Sequence, residues 1–434
     1  NFRFITKWAQ SVTHAERIPG QMRQALSIMK NGRPGPVMLE MQRDVMGNEV
    51  SSLDDFRSPK RYVAAPDKSD LRAAVKTLLA AKKPVIWAGQ GVLYAGASAA
   101  LTELAELTQI PVITTMPGKS AFDERHPLSL GAANKSAPKG VWEWLKSSDV
   151  LFAIGASLTK TNFGINIPDG KTLIHSTANY DDIDKEYTTD IGLVGDAHKT
   201  IRMLIDEIKA EIGEEGRKSD STNREAVAEV KKEWMNDWSE LLNSSMDPIN
   251  PYRLVNEINK AVDHETTIVT HDAGHPRDQL MPFYTATVPH SYVGWGKSTH
   301  LGYGIPLMIG AKIAHPEKMC VNFMGDAAFG MSGLDLETAN RIGAPITTVL
   351  LNNGTMGGYN LALPTAMGEY NAGNMGGNYA GIAEDLGGVG IKITDPAEIG
   401  GALTKARQIN NDEGKSVLLD VKTQQWLEFS EYKG

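Results

Sequence analysis

At 434 residues, with 41% hydrophobic and 22% charged side chains, the chain has an ordinary globular composition and room for about two to three domains. A net charge of −8 without any Lys/Arg block argues against a nucleic-acid or anionic-membrane surface, and no run reads as a membrane span or a signal peptide. Cys320 is the only cysteine, so no intrachain disulfide can form; set in an apolar run, it reads as a buried, inert thiol, and the cytoplasm is the default compartment.

The chain opens with an aromatic-rich stretch, Phe2 to Trp8, and a helical pattern over 19–29. Asn31-Gly32-Arg33-Pro34-Gly35-Pro36 reads as a turn and 37–41 as a strand. One helix and one strand cannot enclose a core, so residues 1–50 are expected to be the end of an incomplete domain. Residues 51–63 are polar and irregular, a linker. Strand and helix patterns alternate over 64–215: strands at 84–89, 110–115, 149–155 and 172–176, helices at 97–109 and 198–212. Such alternation predicts a parallel sheet with helices on both faces. Residues 213–223 read as a second linker and 224–242 as an amphipathic helix. The last domain, 247–434, carries strands at 268–270, 319–324 and 346–351. It also carries helices at 307–314 and 332–341, the latter with Ser332 as a possible N-cap. The expected fold class is α/β, with doubly wound parallel-sheet domains and helices on both faces.

Three glycine-bearing turns invite functional readings. Gly89-Gln90-Gly91 with Gly96 follows a strand, but the spacing is not GxGxxG and no acidic ribose ligand is well placed. A tight strand-to-helix turn accounts for it better than a dinucleotide site. His271-Asp272-Ala273-Gly274-His275-Pro276 spaces two histidines as a zinc site does. That arrangement needs a helix to put both on one face, whereas Gly274 and Pro276 predict a loop. Finally, Gly325-Asp326-Ala327-Ala328 ends one strand, and Asn352-Asn353-Gly354-Thr355 ends the next, 27 positions after Asp326. A βαβ unit of this kind puts a carboxylate and an amide at neighbouring carboxyl strand ends, where open α/β sheets bind ligands. Oxygen donors there suit Mg2+ together with phosphate oxygens. The bland alternative is a plain βαβ unit with a polar Asp and a turn-forming Asn-Asn-Gly.

The GDAA…NN pattern resembles the diphosphate-binding motif of thiamine diphosphate (ThDP) enzymes of the acetolactate synthase-like group. "GRPGPV" with Asp44-Val45 resembles the close of that family's pyrimidine-binding domain, and Thr114 to Gly131 a stretch of its central domain. The resemblance implies that Asp326, Asn353 and the Thr355 carbonyl hold Mg2+. It implies that Gly274, His275, Thr299, Gly302, Gly325, Asp326, Ala327, Ala328, Asn353, Thr355 and Met356 surround the ThDP. Leu301, 25 residues before Asp326, would stand where the family wedges a large apolar residue between the two ThDP rings. His300 and Lys297, beside it, would face the reacting carbon, binding a carboxylate or moving a proton; a solvated surface Lys297 is the plain alternative.

Departures from the family pattern narrow these expectations. Ser157-Leu158-Thr159-Lys160-Thr161 replaces the run that contacts FAD in acetolactate synthases, which argues against FAD. Ala362 stands where those enzymes carry a substrate-shaping Trp. "GDAAFGMSGLDLET" also resembles 2-hydroxyacyl-CoA lyases and oxalyl-CoA decarboxylases. The family's activating glutamate lies upstream of "GRPGPV"; Glu16 and Glu40, the only glutamates before Asp44, lack its motif and suit solvated or structural roles. The resemblance therefore implies ThDP- and Mg2+-dependent cleavage or formation of a C–C bond on a small 2-oxo acid, by a homodimer or homotetramer, with this chain a fragment. A 2-hydroxyacyl-CoA lyase-like enzyme stays open. So does a non-catalytic ThDP-binding subunit that needs a separate chain carrying the pyrimidine-binding domain.

Overall fold

The computed structural model describes residues 1–54, 56–162, 164–295, 300–357, 359 and 363–431. Two six-stranded sheets, every pairing parallel, dominate it. The first holds β3 (Pro84–Ala88), β4 (Val112–Thr115), β5 (Ser129–Ala133), β6 (Val150–Ile154), β7 (Thr172–Thr177) and β8 (Ile191–Val194) in the order β5-β4-β3-β6-β7-β8. The second holds β9 (Thr267–His271), β10 (Tyr292–Val293), β11 (Met319–Gly325), β12 (Thr347–Asn352), β13 (Val389–Ile393) and β14 (Val417–Lys422) in the order β10-β9-β11-β12-β14-β13. Strands covered on both faces must be apolar throughout, not alternating. Every residue of β3 and β6 is apolar and buried accordingly.

Each sheet divides its apolar side chains between two cores. In the central domain, helices Lys68–Ala80, Ser98–Thr108 and Ala197–Ile212 cover one face. Helices Lys139–Ser147 and Thr222–Asp237 cover the other, through Val141, Trp144, Val227 and Val230. In the C-terminal domain, Pro251–Ala261, His275–Phe283 and Ile399–Asp412 lie on one side. Gly304–Ala314, Asp335–Arg341 and Tyr379–Asp385 lie on the other. This is the expected doubly wound α/β class.

The N-terminal segment contains a strand that the sequence pattern did not announce. β1 (Trp8–Val12) pairs in parallel with β2 (Val37–Met41), packed by helix Ile18–Lys30 over a small cluster of Val12, Ala15 and Val45. Phe4 and Ile5 stay 93% and 69% exposed, too little burial for a domain core. The described residues between 51 and 67 hold no helix or strand, as a linker should.

Three local expectations are corrected. Residues 332–341 do not form one helix capped by Ser332. A helix starts at once at Asp326 and runs to Ser332, and a second spans Asp335–Arg341. Gly330 and Gly333 weaken helix continuity, and the chain breaks between the two. The second linker is shorter than expected, because a helix begins at Thr222. His275 is not in a loop but opens helix His275–Phe283, with Pro276 in the first turn, where its missing N–H costs nothing.

Helix Thr222–Asp237 joins the domains. Trp234 stacks on Phe283 of the C-terminal domain with centroids 4.6 Å apart, and its Nε1 donates to Ser430 Oγ at 2.9 Å. Beside it, buried Lys119 bonds both Glu124 oxygens at 2.5 and 2.6 Å, and Glu124 Oε2 accepts the Ala286 N–H at 2.8 Å.

Candidate active site at the carboxyl edge of the C-terminal sheet

In an open α/β sheet the ligand crevice opens where strand order reverses. In the C-terminal sheet β9 comes first in sequence, β10 lies on one side and β11 on the other. The reversal therefore falls between the carboxyl ends of β9 and β11, with β12 adjacent. The turn Asp272–Gly274 leaves β9, Asp326 follows β11, and Asn353 follows β12. Gly274 takes φ +83° and is exposed with open space around it, directly before helix His275–Phe283. Two helices, beginning at His275 and Asp326, start at this edge, and a helix N-terminus favours a phosphate.

The two motif halves are physically joined. Asp326 is buried, 1% exposed; its Oδ2 accepts the Gly354 N–H and its Oδ1 the Ala327 N–H, each at 2.8 Å. Burial pushes its carboxyl above the usual range, opposed by those N–H groups and by the Lys422 charge. Asn353 Oδ1 accepts the Thr355 N–H at 3.1 Å. Met356 N–H donates to Gly373 O at 3.1 Å, fixing the loop after β12. The His275 ring lies directly against Gly357 and 5.1 Å from the Phe429 ring, and burial holds its pKa below the ordinary value. Gly274, His275, Gly325, Asp326, Ala327, Asn353, Thr355 and Met356 thus gather at one edge. Ala328 is buried in the core beneath them.

Of the activating segment, His300 is exposed, Leu301 is half-buried against the adjacent core and Gly302 is buried. Lys297 and Thr299 lie outside the described residues, as does Ala362. His271 and His275 do not share a face. His271 is fully buried, its ring 5.9 Å from Trp295 and 5.8 Å from Tyr292, while His275 meets Phe429.

Sequence reasoning passed over three residues. Asp272, hidden between the two histidines that drew attention, is fully buried and accepts N–H groups from Ala273, Gly302 and Gly304. Lys422, at the end of β14, pairs in register with Asn352 and brings its charge toward Asp326. Phe429 lies in the C-terminal tail, and no spacing in the sequence could place it over His275.

The donors fit a metal–diphosphate group. Asp326, Asn353 and Thr355 each offer an oxygen donor, each Asp326 oxygen spends one lone pair on an N–H and keeps another, and a hard cation completed by phosphate oxygens wants such a set.

The central sheet has its own reversal. The order β5-β4-β3-β6-β7-β8 is the dinucleotide-type order, and its switch lies between β3 and β6. There a cavity of about 540 Å³ is lined by Gly89, Gln90, Gly155, Arg33, Trp87 and Trp295, among others. Gly89 is required by close approach, since a Cβ would collide with the Gly155 carbonyl. The tight-turn reading of Gly89-Gln90-Gly91 therefore holds, but the turn also borders a cavity that its spacing did not reveal.

Two doubly wound domains, the second with an oxygen-rich strand edge built on GD…NN, have the architecture expected of a ThDP-type enzyme. Comparison with known proteins agrees. Residues 71–204 match the thiamine pyrophosphate enzyme central domain and residues 272–421 the thiamine pyrophosphate enzyme C-terminal TPP binding domain. A probable acetolactate synthase large subunit of Methanococcus aeolicus is 30% identical over 435 residues, covering 95% of this chain and 71% of the relative. The acetolactate synthase large subunit of Corynebacterium glutamicum is 30% identical, covering 94% and 66%. A glyoxylate carboligase of Escherichia coli O157:H7 is 27% identical, covering 96% and 72%. The chain belongs to the thiamine pyrophosphate enzyme family, in its acetolactate synthase-like group.

Proposed function

We propose that the protein takes part in ThDP- and Mg2+-dependent formation or cleavage of a C–C bond on a small 2-oxo acid. The observation that carries this reading is the bond between Asp326 and the Gly354 N–H, which fuses the GD and NN ends into one oxygen-rich edge beside the open Gly274 turn. When bound, ThDP supplies a nucleophilic carbon and an electron sink. Asp326, Asn353 and the Thr355 carbonyl hold the cation. The Gly274 turn and the helix start at His275 orient the diphosphate, Leu301 supports the rings, and His300 binds a carboxylate or moves a proton at the reacting carbon. Burial lowers the pKa of His275, which keeps it neutral and able to donate or accept a hydrogen bond at the phosphate edge. The relatives' names, acetolactate synthase large subunit and glyoxylate carboligase, support a carboligase, and "large subunit" supports an oligomeric assembly.

The activating glutamate is assigned outside these residues. Glu16 accepts the Ser51 N–H and hydroxyl, both at 2.9 Å, and Glu40 accepts the Ser11 hydroxyl at 2.5 Å; both are exposed and committed to local structure. A second reading, a 2-hydroxyacyl-CoA lyase-like reaction, is favoured by the central cavity at a dinucleotide-type switch point, which suits an adenine nucleotide moiety.

The deciding experiment has two stages. Calorimetry first measures ThDP binding with and without Mg2+. A pyrimidine-binding segment, in cis or as a separate chain, is then added with pyruvate or glyoxylate, and CO2 release and product are followed. Mg2+-dependent binding and a carboligated or decarboxylated product are expected. ThDP binding indifferent to Mg2+, or turnover confined to an acyl-CoA substrate, overturns the primary reading.

A further inference from the structure

We infer that Asp272 is a positioning residue, whose buried carboxylate locks the turn after Leu301 to the diphosphate turn and so sets where His300 and Leu301 stand over the site. The inference rests on the ThDP reading above but concerns a residue that the cation and diphosphate motifs do not include. Asp272 is fully buried. Its own N–H donates to Phe323 O at 2.7 Å, which anchors it to β11 three residues before Asp326. Its Oδ1 accepts the Ala273 N–H at 2.8 Å and the Gly302 N–H at 3.1 Å, and its Oδ2 accepts the Gly304 N–H at 3.0 Å. One side chain therefore clasps the turn leading to Gly274 and both glycines flanking Tyr303.

The clasp has no substitute on the Gly302–Gly304 turn itself. Gly304 opens helix Gly304–Ala314, and the N-cap residue Tyr303 offers no side-chain bond. The first N–H groups of a helix need an outside acceptor, and a carboxylate there also opposes the positive end of the helix dipole. Asp272 supplies both from another strand end. Nor can the turn be rebuilt with larger residues, because a Cβ on Gly304 would collide with the Asn322 side chain. Burial raises the Asp272 carboxyl, while the Gly304, Ala273 and Gly302 N–H groups favour its charged form; three such donors are the usual means of keeping a buried carboxylate ionised. Asparagine has the same shape but presents an NH2 group to one of three N–H donors. Asp272→Asn therefore loses at least one bond and gains a donor–donor clash.

Amide exchange on the ligand-free full chain tests this first. The Gly302 and Gly304 amides should be protected in the wild type; unprotected exchange there overturns the inference whether or not any variant folds. In Asp272→Asn, the amide left facing the new NH2, Gly302 or Gly304, should exchange about 10–100-fold faster, the scale of losing a hydrogen bond to a charged acceptor, and the other should exchange faster by less, with β11 amides unchanged. Asp272→Glu, which keeps the charge, should recover part of the protection. Equal acceleration in β11, or none at Gly302 and Gly304, means that Asp272 serves general stability only and overturns the positioning role. In the turnover-competent assembly, kcat should fall in Asp272→Asn while KM for the 2-oxo acid stays within about threefold. Failure of the ThDP reading looks different: no Mg2+-dependent ThDP binding in the wild type, with the amide pattern intact.

Discussion

Asp326 offers the sharpest perturbation, because one side chain serves both structure and ligand. Its two oxygens satisfy the Gly354 and Ala327 N–H groups, each at 2.8 Å, in a site where the residue is 1% exposed. Asp326→Ala strands both donors. Each orphaned buried group costs about 1–3 kcal/mol, partly offset because the carboxylate no longer has to be buried. A net loss of about 2–4 kcal/mol lowers Tm by roughly 4–16 °C for a domain of this size. Asp326→Asn keeps one acceptor oxygen but turns an NH2 toward the other N–H, so its Tm should fall as well, though by less than in Asp326→Ala. Ligand binding should not follow that ranking. Both variants lose the only negatively charged cation donor of the proposed set. Weakening a group behind a metal ligand already costs about 10–100-fold in affinity, so losing the ligand should cost at least about 100-fold. The measurement is calorimetric titration of ThDP at saturating Mg2+, on protein shown to be folded by circular dichroism. A folded Asp326→Asn protein that binds ThDP as the wild type does would remove Asp326 from the site and refute the reasoning.

Three further outcomes follow from the same geometry. Burial holds His271 neutral, with its pKa lowered to about 3. The unfolded chain therefore binds the extra proton between the ordinary value near 6.5 and that figure, and stability falls as pH drops through this window by about 4–5 kcal/mol. His271→Phe should flatten the Tm-against-pH curve between pH 6 and 4 relative to wild type; parallel curves would mean that His271 is protonated in the fold. Lys119 and Glu124 form a pair with side chains 1% and 10% exposed, so Lys119→Met alone should cost about 3–5 kcal/mol by stranding a buried charge. Adding Glu124→Leu should recover part of that loss in urea unfolding, though the Ala286 N–H then loses its acceptor; a strictly additive double mutant would count against the pairing. The 434-residue chain with ThDP and Mg2+ should show negligible exchange of the ThDP C2 proton by NMR, since a positioned acid–base group contributes about 10²–10⁴-fold. Rapid exchange would show that another base serves, with His300 the first residue to substitute.

How much of this was legible in the sequence depends on the range of the interaction. β9, β11 and β12 were readable because their short runs rich in β-branched and apolar residues suit strands covered on both faces. Their ends were readable because Gly325-Asp326 and Asn353-Gly354 stop them. Spacing alone then put Asp326 and Asn353 on adjacent strand ends, since a right-handed βαβ crossover leaves little choice. What escaped was set by contacts distant in sequence. β10 has two residues and no pattern to find, and β1 became a strand only by pairing with β2, 29 positions away. The break at Gly333 went unread because the helical pattern over 332–341 looked continuous, although the helix begins at Asp326. Asp272 went unread for a different reason: its three N–H partners are backbone groups, two of them about 30 residues away, and backbone donors leave no signature in side-chain identity.

The same distinction explains why the C-terminal tail matters to a site it does not visibly belong to. After β14, Tyr252 Oη donates to Glu428 O at 2.7 Å and Ser430 Oγ donates to Ala137 O at 2.8 Å. Ser430 also receives Trp234 Nε1, and Lys135 pairs with Glu431 at 3.4 Å. The tail therefore runs from the ligand-bearing sheet to the central domain and is tied at both ends. Phe429 sits between these ties and packs on His275, the first residue of the helix whose N-terminus faces the proposed diphosphate. The helix that begins at His275 is therefore met on this side by Phe429 on His275, by Trp234 on Phe283, and by Asn134 Nδ2 donating to Asp278 Oδ1 at 3.1 Å. Asp272, in the turn just before that helix, ties the same turn to Gly302 and Gly304 from within the domain.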